Sequence, residues 1–252
     1  MKILLSPAKK LDFSEEIYLT NTTNCKFLDY SEILINELKK KSALELSKLM
    51  NISHNLSILN FKRNQEWQRS KILKEGKAAL LAFKGEVYTN MKTENFNKDD
   101  FSFLDSRLRI LSGLYGILSP SDMILPYRLE MGTKLNVGIN KNLYEFWRDI
   151  LTKYINNESS DNDIILNLAS DEYSKVLDFK KIKSSVITPI FKDIKNGKAK
   201  VVSFFAKRSR GEMCNFIVKN RINDINQIKK FNRNNYVFSQ EESDENNYIF
   251  IR

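Results

Sequence analysis

The sequence predicts a mixed α/β or α+β fold: a single domain over residues 1–252, with a mixed sheet and surrounding helices. Three observations carry this. Short apolar runs of strand length, at Lys2–Leu5, Ile164–Leu166, Val186–Ile190, Val201–Phe205, Tyr236–Phe238 and Tyr248–Ile251, alternate irregularly with segments of helical periodicity. No glycine-rich dinucleotide fingerprint or Walker loop accompanies them, which argues against the common nucleotide-dependent enzymes. No repeat, low-complexity tract or linker divides the chain, and 252 residues at 42% hydrophobic content suffice for one large core.

Lys2–Leu5 reads as a buried strand that ends in the polar, basic turn Ser6-Pro7-Ala8-Lys9-Lys10. Such turns are common places for ligand contacts, so Lys9 is either a ligand contact or a solvated turn residue. From Asp29 to Ile58 an apolar stripe is interrupted at Lys39-Lys40-Lys41, which predicts two helices. Ser42 would cap the second, with Glu45 at capping-box spacing. His54 follows as a surface or capping group. Ala78–Phe83 is apolar and short enough for a strand or a buried helical turn. Lys84 beside Gly85 is a second candidate contact or, again, a turn. Asn97–Asp100 reads as a helix start, its acids suited to the positive end of the helix.

That helix leads into Phe101–Thr133, where Phe101, Leu104, Leu108 and Leu111 share one helical face and Arg107 and Arg109 lie off it. Ser112-Gly113-Leu114-Tyr115-Gly116 then forms a tight connection whose backbone could approach a phosphate. The pattern partly fits a helix-hairpin-helix element. Leu108, Leu111, Gly113 and Leu114 match, while Ser112 replaces the usual proline and one extra residue precedes Gly116. A plain helical hairpin packed in the core is the alternative. Pro126–Gly132 reads as a strand with Arg128 and Glu130 on one face, either a structural ion pair or, with Tyr127, the lining of a cleft. Lys141–Ile155 is an amphipathic core helix.

After the strand Ile164–Leu166 comes Asn167–Tyr173. There Asp171 and Glu172 are either favoured first-turn acids of a helix or groups at a cleft mouth, acting as metal ligands or a general base. Lys198–Arg210 is the most basic stretch. It places Lys207, Arg208 and Arg210 at a strand-to-helix junction, where phosphate binding is easy, or in a solvated basic loop. Gln240–Asn247 is a hairpin loop.

Lys plus Arg total 41 against 31 Asp plus Glu, a net charge of +10 that favours an anionic partner unless it reflects compositional drift in a Lys- and Asn-rich chain. Two cysteines and one histidine make an imidazole or thiolate metal site improbable, so no metal and no cofactor is expected; a carboxylate-only magnesium site stays open. The apolar run Ile3-Leu4-Leu5 is too short for a secretory signal, and no run approaches the roughly 18 residues of a membrane span. The expectation is a cytoplasmic, monomeric protein with no membrane partner.

SPAKKLD (residues 6–12), LAFKGEVY (81–88), LRILSGLYGILSPSDMILPYRLEMG (108–132), LYEFWRD (143–149), NLASDEY (167–173) and SFFAKRSRGEM (203–213) together resemble the YaaA family, in the family's order and over nearly the whole chain. The resemblance implies a cytosolic bacterial protein linked to hydrogen peroxide resistance. It also implies binding of double-stranded DNA through a basic cleft with a helix-hairpin-helix element, and it favours Lys9 as a contact. On that reading Lys9, Lys84, Arg107, Arg109, Arg128, Lys207, Arg208 and Arg210 neutralise phosphates, while Ser112, Gly113, Tyr115 and Gly116 supply the hairpin. The alternative is a repair enzyme of glycosylase-lyase type, with Lys9 attacking a sugar aldehyde and Asp171 or Glu172 moving protons, which borohydride trapping on abasic DNA would reveal. RNA binding is a third possibility.

Overall fold

Lys2–Leu5 (β1) is apolar enough to be buried on both faces, as the central strand of a parallel sheet must be. It takes that position in the computed structural model, which describes residues 1–14 and 22–252. On one side β1 pairs in parallel with Leu108–Ser112 (β2), Ile3 opposite Leu108. On the other it pairs in parallel with Ile164–Asn167 (β4), Ile3 opposite Leu166. Gly116–Leu118 (β3) closes the β2 edge in antiparallel sense. Beyond β4 lie Ser185–Lys195 (β5) and Asn247–Ile251 (β8), both parallel to their neighbours. Val237–Ser239 (β7) runs antiparallel to β8, and Lys198–Lys200 (β6) folds back on the far end of β5. The order is β7-β8-β5-β4-β1-β2-β3.

The connectivity gives the sheet its functional edge. From β1 the chain moves to β2 and β3 on one side, then returns to β4 on the other. The loops leaving the carboxyl ends of β1 and β4 therefore diverge, and a crevice opens where open α/β sheets bind ligands.

Helices cover the sheet. Leu28–Lys39 (α1) and Ala43–Met50 (α2) break where the sequence predicts, and Ser42 and Glu45 form the capping box. His54–Glu66 (α3) is a third helix, capped by Ser53, with His54 at its exposed first position. Ala79–Ala82 is a single buried turn, and Phe83–Lys84 pairs with Lys10–Leu11. Glu86–Met91 (α4) follows. Lys98–Asp105 (α5) starts from the Asn97 cap, and Leu143–Glu158 (α6) is the amphipathic core helix. Asp171–Ser174 (α7) and Ser203–Lys219 (α8) complete the labelled helices.

Three expectations need correction. The helix predicted through Leu111 stops at Asp105, because Leu108–Leu111 is needed as a fully buried strand beside β1. A four-residue apolar run fits either periodicity, and only pairing decides. Consequently Gly113–Tyr115 joins two strands, and the element is a β-hairpin rather than a helix-hairpin-helix. Its backbone faces the interior: a side chain on Gly113 would meet the Leu129 carbonyl, and Gly116, at φ +70°, lies against Trp147. Ser112 Oγ accepts the Tyr115 N–H at 3.0 Å and shares a 2.7 Å hydrogen bond with the Tyr127 hydroxyl. Tyr115 Oη in turn accepts from Trp67 Nε1. These groups are spent on the core and offer nothing to a phosphate.

The second correction concerns Val201–Phe205, which is not a strand. Ser203 begins the long helix α8, so Lys207, Arg208 and Arg210 sit within a helix rather than at a strand-to-helix junction. Third, Pro126–Gly132 is an extended irregular segment without strand pairing, although the expected Arg128–Glu130 ion pair forms on it.

Candidate functional site

Two loops meet at the crevice between β1 and β4. Ser6 Oγ accepts the Ser170 N–H at 2.8 Å, and the two hydroxyls lie 3.1 Å apart. From α4, the Tyr88 hydroxyl donates to the Ser6 carbonyl at 2.8 Å. Asn167, the last residue of β4, turns its loop by accepting the Ala169 N–H and donating to Thr188 Oγ1 on β5. These bonds fix the two strand exits against each other.

The irregular segment 126–132 crosses this junction and brings its charges with it. Glu130 is the pivot: Oε2 pairs with Lys9 Nζ at 2.5 Å and Oε1 with Arg128 Nη2 at 2.8 Å. A narrow cleft lies here, between Pro7–Lys9, Tyr127–Glu130 and Tyr173. Arg128 Nε is buried with no hydrogen-bond partner among the described residues, although buried polar atoms nearly always have one. Glu172 Oε1 accepts the Gly132 N–H at 3.3 Å, and the Glu172 carbonyl accepts from the Tyr144 hydroxyl. Arg210 reaches toward the same loops from α8. Burial pulls its pKa down, the Asp171 carboxylate pulls it back up, and the guanidinium makes no hydrogen bond or ion pair among the described residues. Burial also raises the pKa of Tyr88, Tyr127 and Tyr173 well above the usual tyrosine range, so the crevice wall carries neutral hydroxyls.

Lys9, Arg128, Asp171, Glu172 and Arg210 are thus gathered at one edge. Lys84 lies beside them, opposite Lys10 in its short strand pair, and is bound to Asp12, whose carboxyl it holds well below the usual range. Lys207 is exposed on α8, and Arg208 Nε donates to Asn90 Oδ1 at 3.4 Å. Arg107 and Arg109 do not join this group. They sit at the amino end of β2, the opposite edge of the sheet. Arg107 lies 4.0 Å over the Phe103 ring and donates to Asn223 Oδ1. The Arg109 side chain is only 8% exposed; it donates to Glu158 Oε2 at 2.6 Å and to the Asp105 and Leu108 carbonyls. Both are engaged in contacts within the fold.

Sequence reasoning missed Ser6, Ser170, Tyr88 and Tyr173. The signal for Ser6 was its place at the exit of a buried strand; the others become visible only once the strand order is known. Among the described residues, no three His, Cys, Asp or Glu side chains converge as a metal-binding group.

Residues 1–242 match the family described as peroxide stress protein YaaA. A curated protein of Flavobacterium johnsoniae, described as a UPF0246 protein, is 45% identical over 210 residues, which is 83% of this chain and 83% of that relative.

Proposed function

Because the chain belongs to the peroxide stress protein YaaA family, and so has a role in the oxidative stress response, we propose that it acts by binding duplex DNA through backbone phosphates along the carboxyl-end crevice. The observation that carries this reading is a set of cationic groups with donors free of hydrogen bonds on one edge of the sheet. Arg210 and the Arg128 Nε are in the crevice. Beyond its last pairing with β8 at Lys192, β5 continues to Lys195 and returns as β6, forming a short two-stranded ribbon. The ribbon is roughly 10 Å long at the usual rise per strand residue. It projects past the same edge and carries Lys195, Lys198 and Lys200, none of which has an ion pair among the described residues. Helix α8 follows directly and adds Lys207. A guanidinium or ammonium with free donors suits phosphate, and such contacts position DNA without reading its sequence.

Protection by thiol chemistry is not favoured. Cys25 and Cys214 are both buried, and burial pushes the Cys214 thiol up to about 12 and that of Cys25 higher still, which withholds the reactive thiolate. The lyase alternative is also weaker. Lys9 is 62% exposed and held by Glu130, whereas lysine nucleophiles are activated by desolvation.

Duplex DNA titrations at several salt concentrations test the proposal. Each phosphate contact removed should flatten the log–log salt slope by about 1. Arg128→Ala with Arg210→Ala should therefore lose about 2, and the Lys195, Lys198 and Lys200 triple alanine variant up to about 3. A wild-type chain that does not bind duplex DNA, or slopes unchanged in both variants, overturns the reading.

A further inference from the structure

A cavity of about 600 Å³ lies beside the Phe83–Lys84 strand; the paired Lys84 and Asp12 and the side chain of Tyr88 form part of its wall. Leu80, Leu81, Phe83, Phe96 and Phe101 supply much of its wall. Lys77 also lines it, from the short strand Lys77–Ala78, which pairs with Asp122–Ile124. Lys77 is only 8% exposed, yet it has no hydrogen bond or ion pair among the described residues. The nearby acids do not meet it. Asp12 directs Oδ2 to Lys84 and Oδ1 to Ser14, and Glu94 stands exposed at the rim.

The rest of the Lys77 side chain is covered, so its ammonium stands at the cavity wall with its donors free, and an anion is the partner that suits it. The cavity is of the size that takes a small molecule, and its wall joins apolar side chains to a few polar groups, the usual make-up of such sites. We propose that it binds a small organic anion, a carboxylate, sulfonate or phosphate on an apolar ring or chain, with the charge on Lys77 Nζ and the apolar body against Phe83, Phe96 and Phe101. Lys77 sets the preference for charge and the aromatic wall sets the preference for shape. The site does not depend on the DNA reading.

The test is a fluorescence titration of the native full chain with two probes of matched shape. One is 1-anilinonaphthalene-8-sulfonate, which is anionic; the other is N-phenyl-1-naphthylamine, which is neutral. The expected result is saturable one-site binding of the sulfonate, at least tenfold tighter than the neutral probe. Lys77→Met should abolish that preference, and Lys77→Arg should keep it. Equal affinity for the two probes on the wild-type chain, absence of saturable sulfonate binding, or an unchanged preference in Lys77→Met overturns the proposal. The first two outcomes need no variant and stand whether or not Lys77→Met folds.

Discussion

What an arginine does in this protein depends on where its donors go. Arg109 spends them on Glu158 and two carbonyls in a nearly dry setting, so Arg109→Ala leaves the Glu158 carboxylate with only Tyr154 and a distant Lys2. Urea unfolding should show a loss of about 3 kcal/mol, with no change in DNA affinity for the molecules that remain folded. Arg128, by contrast, keeps one donor in reserve. Asp122 shows the same dependence on surroundings in a carboxylate. Burial pushes its pKa up to about 6, against the pull of hydrogen bonds from Thr23 and the Ser119 N–H. A carboxyl group raised in the folded state binds its proton more tightly there than in the unfolded chain. Its contribution to stability therefore falls as pH rises from about 4 to about 6. Measured against Asp122→Asn across that window, the wild-type chain should lose relative stability by up to about 3 kcal/mol. A flat difference would show that Asp122 does not titrate there.

At the level of elements, the sequence was legible where local chemistry decides and silent where pairing decides. The Ser42–Glu45 capping box, the Asn97 cap and the apolar stripe of α6 all formed where expected. Leu108–Leu111 did not, because four apolar residues in a row suit a helix face and a buried strand equally well. Ser203–Phe205 has strand-like side chains but opens a helix whose apolar positions continue through Ala206, Met213 and Ile217. The sequence marks the hairpin glycines as special, and the structure gives packing as the reason. Gly116 combines φ +70° with a Cβ position 2.9 Å from the Trp147 ring. Gly116→Ala should accordingly cost about 1–3 kcal/mol in thermal or urea unfolding. An unaffected midpoint would mean that the hairpin shifts freely.

Across the whole molecule, most of the sequence blocks that stood out converge on one edge. Ser6–Lys9, Lys84, Tyr127–Glu130, Asp171–Tyr173 and Arg210 come from segments far apart in the chain, and the strand order brings their loops together. That order was not readable, since parallel neighbours are joined through long crossovers that leave no local trace. The arginines are likewise divided, with Arg107 and Arg109 at the amino end of β2 and Arg128 and Arg210 at the crevice. Arg107→Ala should leave the DNA salt slope unchanged while the crevice and ribbon variants reduce it. An equal effect from Arg107 would mean that charge acts through the whole surface rather than one face.

The central position of β1 also bears on how the chain is made. Its two partners are Leu108–Ser112 and Ile164–Asn167. During translation at about 5–20 residues per second, Ile3-Leu4-Leu5 must wait on the order of ten seconds before either neighbour has left the ribosome. For that interval an apolar segment made to be covered on both sides has nothing to cover it, so a nascent-chain chaperone that shields the amino terminus should raise the yield of folded protein.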